Sequence, residues 1–357
     1  MPLVLLPARF NHNTSGTPAN AGPGGFSMKK TLTALLAGVA LAATMTTAAL
    51  SKELRLSHQW STNDIRHKVA QIVADEVAAA NVDLEIKIFP SGSLFKAREQ
   101  YKPLSAGQLD MTVYPLSYAG GQRPEYNLTL MPGLVKNHDH AARLNKSEFM
   151  QEIEKLMAED DVRVVVHGYL AGGFASKDNC ITKPEDVKGL QTRAAGKAFE
   201  EMLAAAGASI ASMASSEVYS AMQSGVLNAV NTSSSSFVSF RLYEQVKCYT
   251  PAGDVALWFM YQPLLMNKST YDGLTDEQKK ALDAAAAKAE AYYLEEAKKE
   301  DAASVEVFEK AGVQIAKMTP EEFKMWQDLA KESSYKKFLE NAGDNGQRLL
   351  DLALSVE

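Results

Sequence analysis

The sequence predicts an α/β protein built as two similar halves, and three observations carry that expectation. Short alternating apolar runs recur along the chain with amphipathic helical stretches between them, the grammar of mostly parallel sheets with helical crossovers. At 357 residues the chain is long for one core and comfortable for two. One helical pattern opens at the capping box Thr275-Asp276-Glu277-Gln278 and runs to about Ala311. At 1.5 Å per residue it would reach ~55 Å, so it is either kinked or bridges both halves. Composition removes other classes. With 46% hydrophobic and 22% charged residues, disorder and collagen are excluded. A net charge of −6 lacks the basic footprint of nucleic-acid binding. Two cysteines, Cys180 and Cys248, exclude zinc fingers and disulfide scaffolds.

Residues 28–49 read as a Sec-type signal peptide: Lys29 and Lys30, a mostly apolar stretch from Thr31 to Ala43, then small residues from Thr46 to Ala49. Residues 1–27, rich in Pro, Gly and Asn, read as a mis-assigned upstream extension with Met28 as the initiator. Removing residues 1–49 takes away three basic and no acidic residues, so the charge moves from −6 to −9. No cysteine lies near the cleavage site for a lipid anchor. The expected product is soluble in the periplasm and begins near Ala48–Lys52. There an oxidising environment permits a Cys180–Cys248 bridge, with two buried thiols as the alternative.

In the mature chain, Glu53–Ser57 alternates as an opening strand. A helix over 62–80 follows, with Ile65, Val69, Val73 and Val77 on one face. Asp83–Phe89 is a strand ending at Pro90, 96–106 a helix ending near Gly107, and Met111–Tyr114 a short strand. Helix 139–158 and strand Arg163–His167 complete the first half. The second half repeats the pattern. Pro184 follows a cap at Thr182-Lys183, helix 197–206 stops at Gly207, and helix 216–224 stops at Gly225. The apolar Val226–Val230 then leads into the polar run Asn231–Ser236. Thr319-Pro320-Glu321-Glu322 caps the C-terminal helical part.

Enzyme signatures are absent: the chain has no GxxxxGK[ST], HExxH, GxSxG or GxGxxG. His138-Asp139-His140 sits at a helix start and reads as a solvated cap, so no metal or cofactor is expected. Ser233–Ser236 reads as a polar loop because no His or Asp follows at nucleophile-like spacing.

The informative segment is Asp186–Ala195 with the block that follows it. Lys188-Gly189-Leu190-Gln191-Thr192-Arg193, Ala206-Gly207-Ala208 and Glu217-Val218-Tyr219-Ser220-Ala221-Met222-Gln223-Ser224-Gly225 occur in order. Here the chain resembles the solute-binding proteins of TRAP (tripartite ATP-independent periplasmic) transporters, the DctP family. Gly92-Ser93-Leu94, Ala106–Met111, Met131-Pro132-Gly133-Leu134 and the long helix match as well. There are two departures. Asn228 stands where the family usually has Asp, and Gly173-Phe174 is followed by Ala175 where many relatives have a second arginine. The missing cation favours a monocarboxylate.

The resemblance implies a two-lobed periplasmic-binding-protein fold, of the Venus-flytrap type, with a long interlobe helix. On that pattern lobe I takes 52–172 plus 260–298 and lobe II takes 173–259 plus 299–357. It also implies closure on a small organic acid for delivery to the membrane permease subunits of a TRAP transporter. An exported α/β enzyme acting on a carboxylate substrate is the alternative. The matching arginine in the family pairs with the ligand carboxylate, so Arg193 is the expected anchor, since a planar guanidinium donates two parallel N–H bonds. Strand ends nominate Gln59, Trp60 and Tyr114, and the lobe crossings nominate Tyr169, Phe174, Trp258 and Phe259. Asn231 and Ser234 follow from the polar loop. The aromatic residues among them point to an apolar or aromatic ligand body.

Overall fold

The computed structural model describes residues 51–254 and 256–357, so the signal-peptide and upstream-extension expectations lie outside the described residues. The described residues form one compact unit. Strand β1 (Lys52–Ser57) leads to helix α1 (Ile65–Ala79), capped by the Asp64 side chain. Strand β2 (Leu84–Phe89), helix α2 (Tyr101–Ser105) and strand β3 (Met111–Val113) follow. The expected helix over 139–158 is two helices, α3 (His138–Leu144) and α4 (Glu148–Glu159). Ser147 divides them because its hydroxyl caps the second helix by accepting from the backbone of Met150. Strands β4 (Val162–Val166) and β5 (Tyr169–Ser176) then carry the chain from one sheet into the other.

The second half runs β6 (Gln191–Ala194), α5 (Lys197–Ala205), β7 (Ser209–Ser212), α6 (Val218–Gln223), β8 (Ala229–Ser233) and α7 (Ser234–Ser239). After β9 (Cys248–Thr250), strands β10 (Trp258–Tyr261) and β11 (Leu264–Asn267) return the chain to the first sheet. Then come α8 (Lys268–Asp272), α9 (Asp276–Lys310), β12 (Gln314–Ile315), α10 (Pro320–Ala330) and α11 (Lys336–Leu354).

The first sheet has the order β2-β1-β3-β11-β4, and the second β12-β9-β5-β8-β6-β7 with β10 paired to β5. Both are mixed rather than mostly parallel. The strands that enter and leave each lobe, β5, β10 and β11, run antiparallel to their neighbours. A chain that crosses and returns must do this. The sheets change at His167–Gly168 and at Gln262–Pro263, a few residues from the expected crossings near 172 and 259, which lie inside β5 and β10. Gly168 permits this crossing: a Cβ there would fall 1.9 Å from the Tyr293 ring.

Helix α9 has 35 residues, ~52 Å at 1.5 Å per residue. It buries Leu282, Ala285, Ala289, Tyr293 and Ala297 in the core of the first lobe, with Leu54, Val69 and Val73. Phe308 then joins the core of the second, with Phe237 and Tyr249. Helix α10 packs Trp326 on Phe199, Met202 and Leu203 of lobe II. Helix α11 departs from the expected partition. Its Leu349, Leu350 and Ala353 pack with Phe149, Ile153 and Met157 of lobe I, so the tail ties the lobes together rather than completing the second. Cys180 and Cys248 form a disulfide with Cα atoms 5.2 Å apart, closing a separation of 68 residues.

Candidate functional site

Where the two sheets face each other the lobes enclose a narrow slot lined by Arg66, Tyr118, Arg193, Ser215, Trp258 and Gln262, together with Ser233 and Ser236. It holds about 180 Å³ of empty space, of which about 10 Å³ admits the centre of a water molecule. Arg193 leaves the end of β6, where its neighbours Thr192 and Ala194 are also buried. The residue is 1% exposed, and its guanidinium has no carboxylate partner among the described residues. It donates from Nε to the Met213 carbonyl (3.1 Å), from Nη1 to the Asn231 carbonyl (2.7 Å) and from Nη2 to the Tyr118 hydroxyl (3.0 Å). Burial lowers its pKa, opposed by Tyr118.

A second guanidinium enters from the other lobe. Arg66, in the first turn of α1, pairs with its own cap Asp64 at 2.6 Å. It also donates to Gln262 Oε1 (2.8 Å), Ser236 Oγ (3.0 Å) and Ser233 Oγ (3.3 Å) and lies 4.0 Å from the centroid of the Trp60 ring. Burial alone would raise the Asp64 pKa, but Arg66 overrides it and holds the carboxyl below its usual range. Arg98 is the third. It stacks 4.4 Å from the Tyr118 ring centroid and donates to Met213 O across the lobes.

Tyr118 joins these groups. Its oxygen accepts from Arg193 Nη2 and from the Ser215 backbone (3.2 Å). Burial pushes the phenol up, but Arg193 and Arg98 outweigh it and the net shift is downward. Beside Trp60, burial and His67 push His58 down to about 3, so it is neutral at ordinary pH.

The amides show what the slot accepts. Gln262 Oε1 is taken by Arg66, Asn231 Oδ1 by the Ala195 backbone, and Gln59 Oε1 by Ser215 Oγ. Each therefore turns its NH₂ free, and all three Nδ2 or Nε2 atoms are buried without an acceptor. Trp60 Nε1, Trp258 Nε1 and Arg98 Nε are buried without one as well. Buried unpaired donors are costly, so such a gathering calls for an acceptor-rich partner. A carboxylate is acceptor-only.

Of the residues nominated by sequence, Arg193 and Trp258 line the slot, while Asn231, Gln59 and Trp60 border it through the contacts above. Tyr114 lies behind it, edge-on to Tyr118. Tyr169 packs on Tyr261, Phe174 on Trp326, and Phe259 against His138; none lines the slot, although Tyr169 borders a separate cavity with His138 and Glu290, and Phe174 another with Trp258 and Lys298. Ser234 is buried at the start of α7 and does not line the slot, whereas Ser233 and Ser236 on either side of it do. Sequence reading missed Arg66, Arg98, Tyr118 and Gln262. The first was hidden because it falls in an ordinary amphipathic helix, although Asp-x-Arg at a helix cap was a usable signal. His138 and His140, read as a solvated cap, are instead partnered: His138 bonds Asp301 at 2.7 Å, His140 is buried and bonds the Val356 carbonyl, and Asn137 caps the helix.

Two lobes bridged by crossing strands and one long helix, shut on a donor-lined slot, define a ligand-capturing binding protein. The profile of the bacterial extracellular solute-binding protein family 7 matches residues 56–341, and the chain belongs to that family. A solute-binding protein of Albidiferax ferrireducens is 36% identical over 296 residues, covering 81% of this chain and 88% of that one. Among solved structures, a TRAP periplasmic solute-binding protein from Rhodoferax ferrireducens with bound malonate superposes with TM-score 0.81 at 35% identity. That match covers 85% of this chain and 98% of the other. A Bordetella pertussis extracytoplasmic solute receptor binding pyroglutamic acid shares the fold, with TM-score 0.78 and 23% identity over 85% and 99% of the two chains. Members of the family bind solutes for transporters and are not enzymes, so the exported-enzyme alternative is set aside.

Proposed function

We propose that this protein captures a small organic acid in the periplasm and delivers it to the membrane permease subunits of a TRAP-type secondary transporter. The observation that carries the ligand class is the set of buried amide and indole donors left without acceptors around Arg193. Arg193 anchors one carboxylate. Asn231, Gln59, Trp60, Gln262 and Tyr118 hydrogen-bond its oxygens, and Trp258 walls the slot.

Charge balance sets the ligand's valence. Asp64 offsets Arg66, while Arg193 and Arg98 have no carboxylate partner among the described residues. Ala175 supplies no second cation, and Arg98, set beside Tyr118 and donating to Met213 from the other lobe, takes that part just outside the slot lining. Charge balance therefore puts a small dicarboxylate in first place, and because the closed slot admits the centre of about one water the lobes must part to take it in. The malonate in the 35%-identical relative supports this, and a compact monocarboxylate is second. Tyr118 and Trp258 are the aromatic residues that line the slot itself.

A thermal-shift panel of malonate, other short dicarboxylates, pyroglutamate, uronates and neutral sugars tests the reading. Ligand at 100 times Kd adds ~2.7 kcal/mol. Short carboxylates should raise the midpoint and neutral sugars should not; a response to neutral sugars alone would sink the proposal.

A further inference from the structure

Directly behind the Asp64–Arg66 pair lies a second cavity, offering about 370 Å³ to water, at the seam between the lobes. Its floor is α9 at the point where that helix passes from Ala297, in the core of lobe I, to Phe308, in the core of lobe II. Lobe I contributes Asn63 and Asp64, and lobe II contributes Ser235 and Ser239 of α7 with Arg241 beyond it. The carboxyl of Glu300 faces this space. Its Oε2 is buried and has no hydrogen-bond partner, and no ion pair reaches it among the described residues.

We propose that this seam cavity is a proton-binding site: Glu300 takes up a proton as the lobes close, so the anion is captured together with a proton. This rests on the organic-acid reading of the adjacent slot and deepens it.

The charges around Glu300 support that assignment. From α1 and its cap, Asp64 repels the ionised carboxyl while Arg66 and Lys68 attract it. Arg66, however, is already committed to Asp64, Gln262, Ser233 and Ser236. From its own helix Glu296 repels it. From lobe II, Arg241 is turned to Glu244, and Tyr243 adds a phenol. Burial first, then Asp64, raises the Glu300 pKa from 4.5 to about 7. When the lobes part, the wall of Asn63 and Asp64 separates from that of Ser235, Ser239 and Arg241, and a hydrated carboxyl returns towards its ordinary value.

A carboxyl that holds its proton more tightly in the closed state favours closure at low pH. Affinity is then full below about pH 4.5, falls as pH rises towards about 7 and levels off above it. The slope is at most about tenfold per pH unit for one proton. The coupling is reciprocal, so ligand binding draws a proton from solution.

The test is calorimetry on wild type and Glu300→Gln with malonate and pyroglutamate, from pH 5.5 to 8, in buffers of differing ionisation enthalpy. Titration of the acids themselves is common to both proteins and cancels in the comparison. Wild type should weaken roughly 25-fold more than Glu300→Gln over this range, with proton uptake near pH 6 that the variant lacks. Equal pH profiles and equal proton counts would overturn the proposal. If Glu300→Gln does not fold, uptake approaching one proton by wild type in excess of the acid's own titration supports the proposal, and none overturns it. If neither acid binds, the reading of the slot is at fault, and small-angle scattering without ligand decides the seam. Glu300→Gln should be more compact than wild type at pH 8, with the difference narrowing towards pH 5.5; equal radii at pH 8 would contradict the proton site.

Discussion

Replacing Arg193 by lysine keeps the charge and removes the fork, and the structure sets what that should cost. The guanidinium reaches three acceptors at once, the Met213 and Asn231 carbonyls and the Tyr118 hydroxyl, from a fully buried position. Lysine can approach them with a single ammonium on a shorter stem. Two charge-assisted bonds are then lost, at about 1.5–3 kcal/mol each before water repairs part of the loss. The ligand carboxylate loses its paired contact as well. A net loss of about 2–4 kcal/mol corresponds to roughly 30- to 1,000-fold in Kd. Arg193→Ala should be about as damaging. Because two of the acceptors are backbone carbonyls of lobe II, Met213 and Asn231, the variants should also lower the unliganded unfolding midpoint. An anchor that sat hydrated in an open cleft would leave that midpoint unchanged. Calorimetry with malonate, paired with chemical denaturation, reads both effects. Binding within threefold of wild type in both variants would refute the assignment of Arg193 as the anchor.

Further outcomes follow from the same geometry. Tyr118→Phe should weaken binding about tenfold, since the phenol oxygen is occupied by Arg193 and Ser215 and its own proton is left to donate into the slot. Isothermal titration checks this, and an unchanged Kd would leave the phenol a packing residue. Reducing the Cys180–Cys248 bridge should cost about 4 kcal/mol of unfolding free energy from the entropy of a 68-residue loop. Denaturation with and without reductant measures it. Gly172→Ala should destabilise by about 2 kcal/mol, because a Cβ would meet the Thr232 carbonyl oxygen at 1.9 Å and push β5 from β8 beside the slot. Both its unfolding midpoint and its affinity should fall.

The sequence carried local structure further than it carried the site. Helix α1, β2, α5 and α9 were legible from apolar spacing and caps, because those signals act within a few residues. The split between α3 and α4 depended on one hydroxyl at Ser147, and the antiparallel crossings depended on the chain returning to a sheet far away in sequence. Arg193 was legible only through a motif resemblance. Arg66, Arg98 and Tyr118 were not, because what defines them is the opposing lobe. Arg66 meets Ser233, Ser236 and Gln262 some 170 to 200 positions away, and no local pattern encodes such a meeting. Tyr169, Phe174 and Phe259 stand outside the slot for the converse reason: proximity to a crossing does not say which way a side chain faces, and none of the three lines it.

The central claim is that an organic acid sits between the lobes with its carboxylate on Arg193, and a crystal structure with malonate tests it most directly. The account predicts a closed molecule with carboxylate oxygens at hydrogen-bond distance from the Arg193 guanidinium and from the free amides of Asn231, Gln59 and Gln262. Malonate bound away from Arg193, or a slot between the lobes left without it at saturating concentration, would contradict the account.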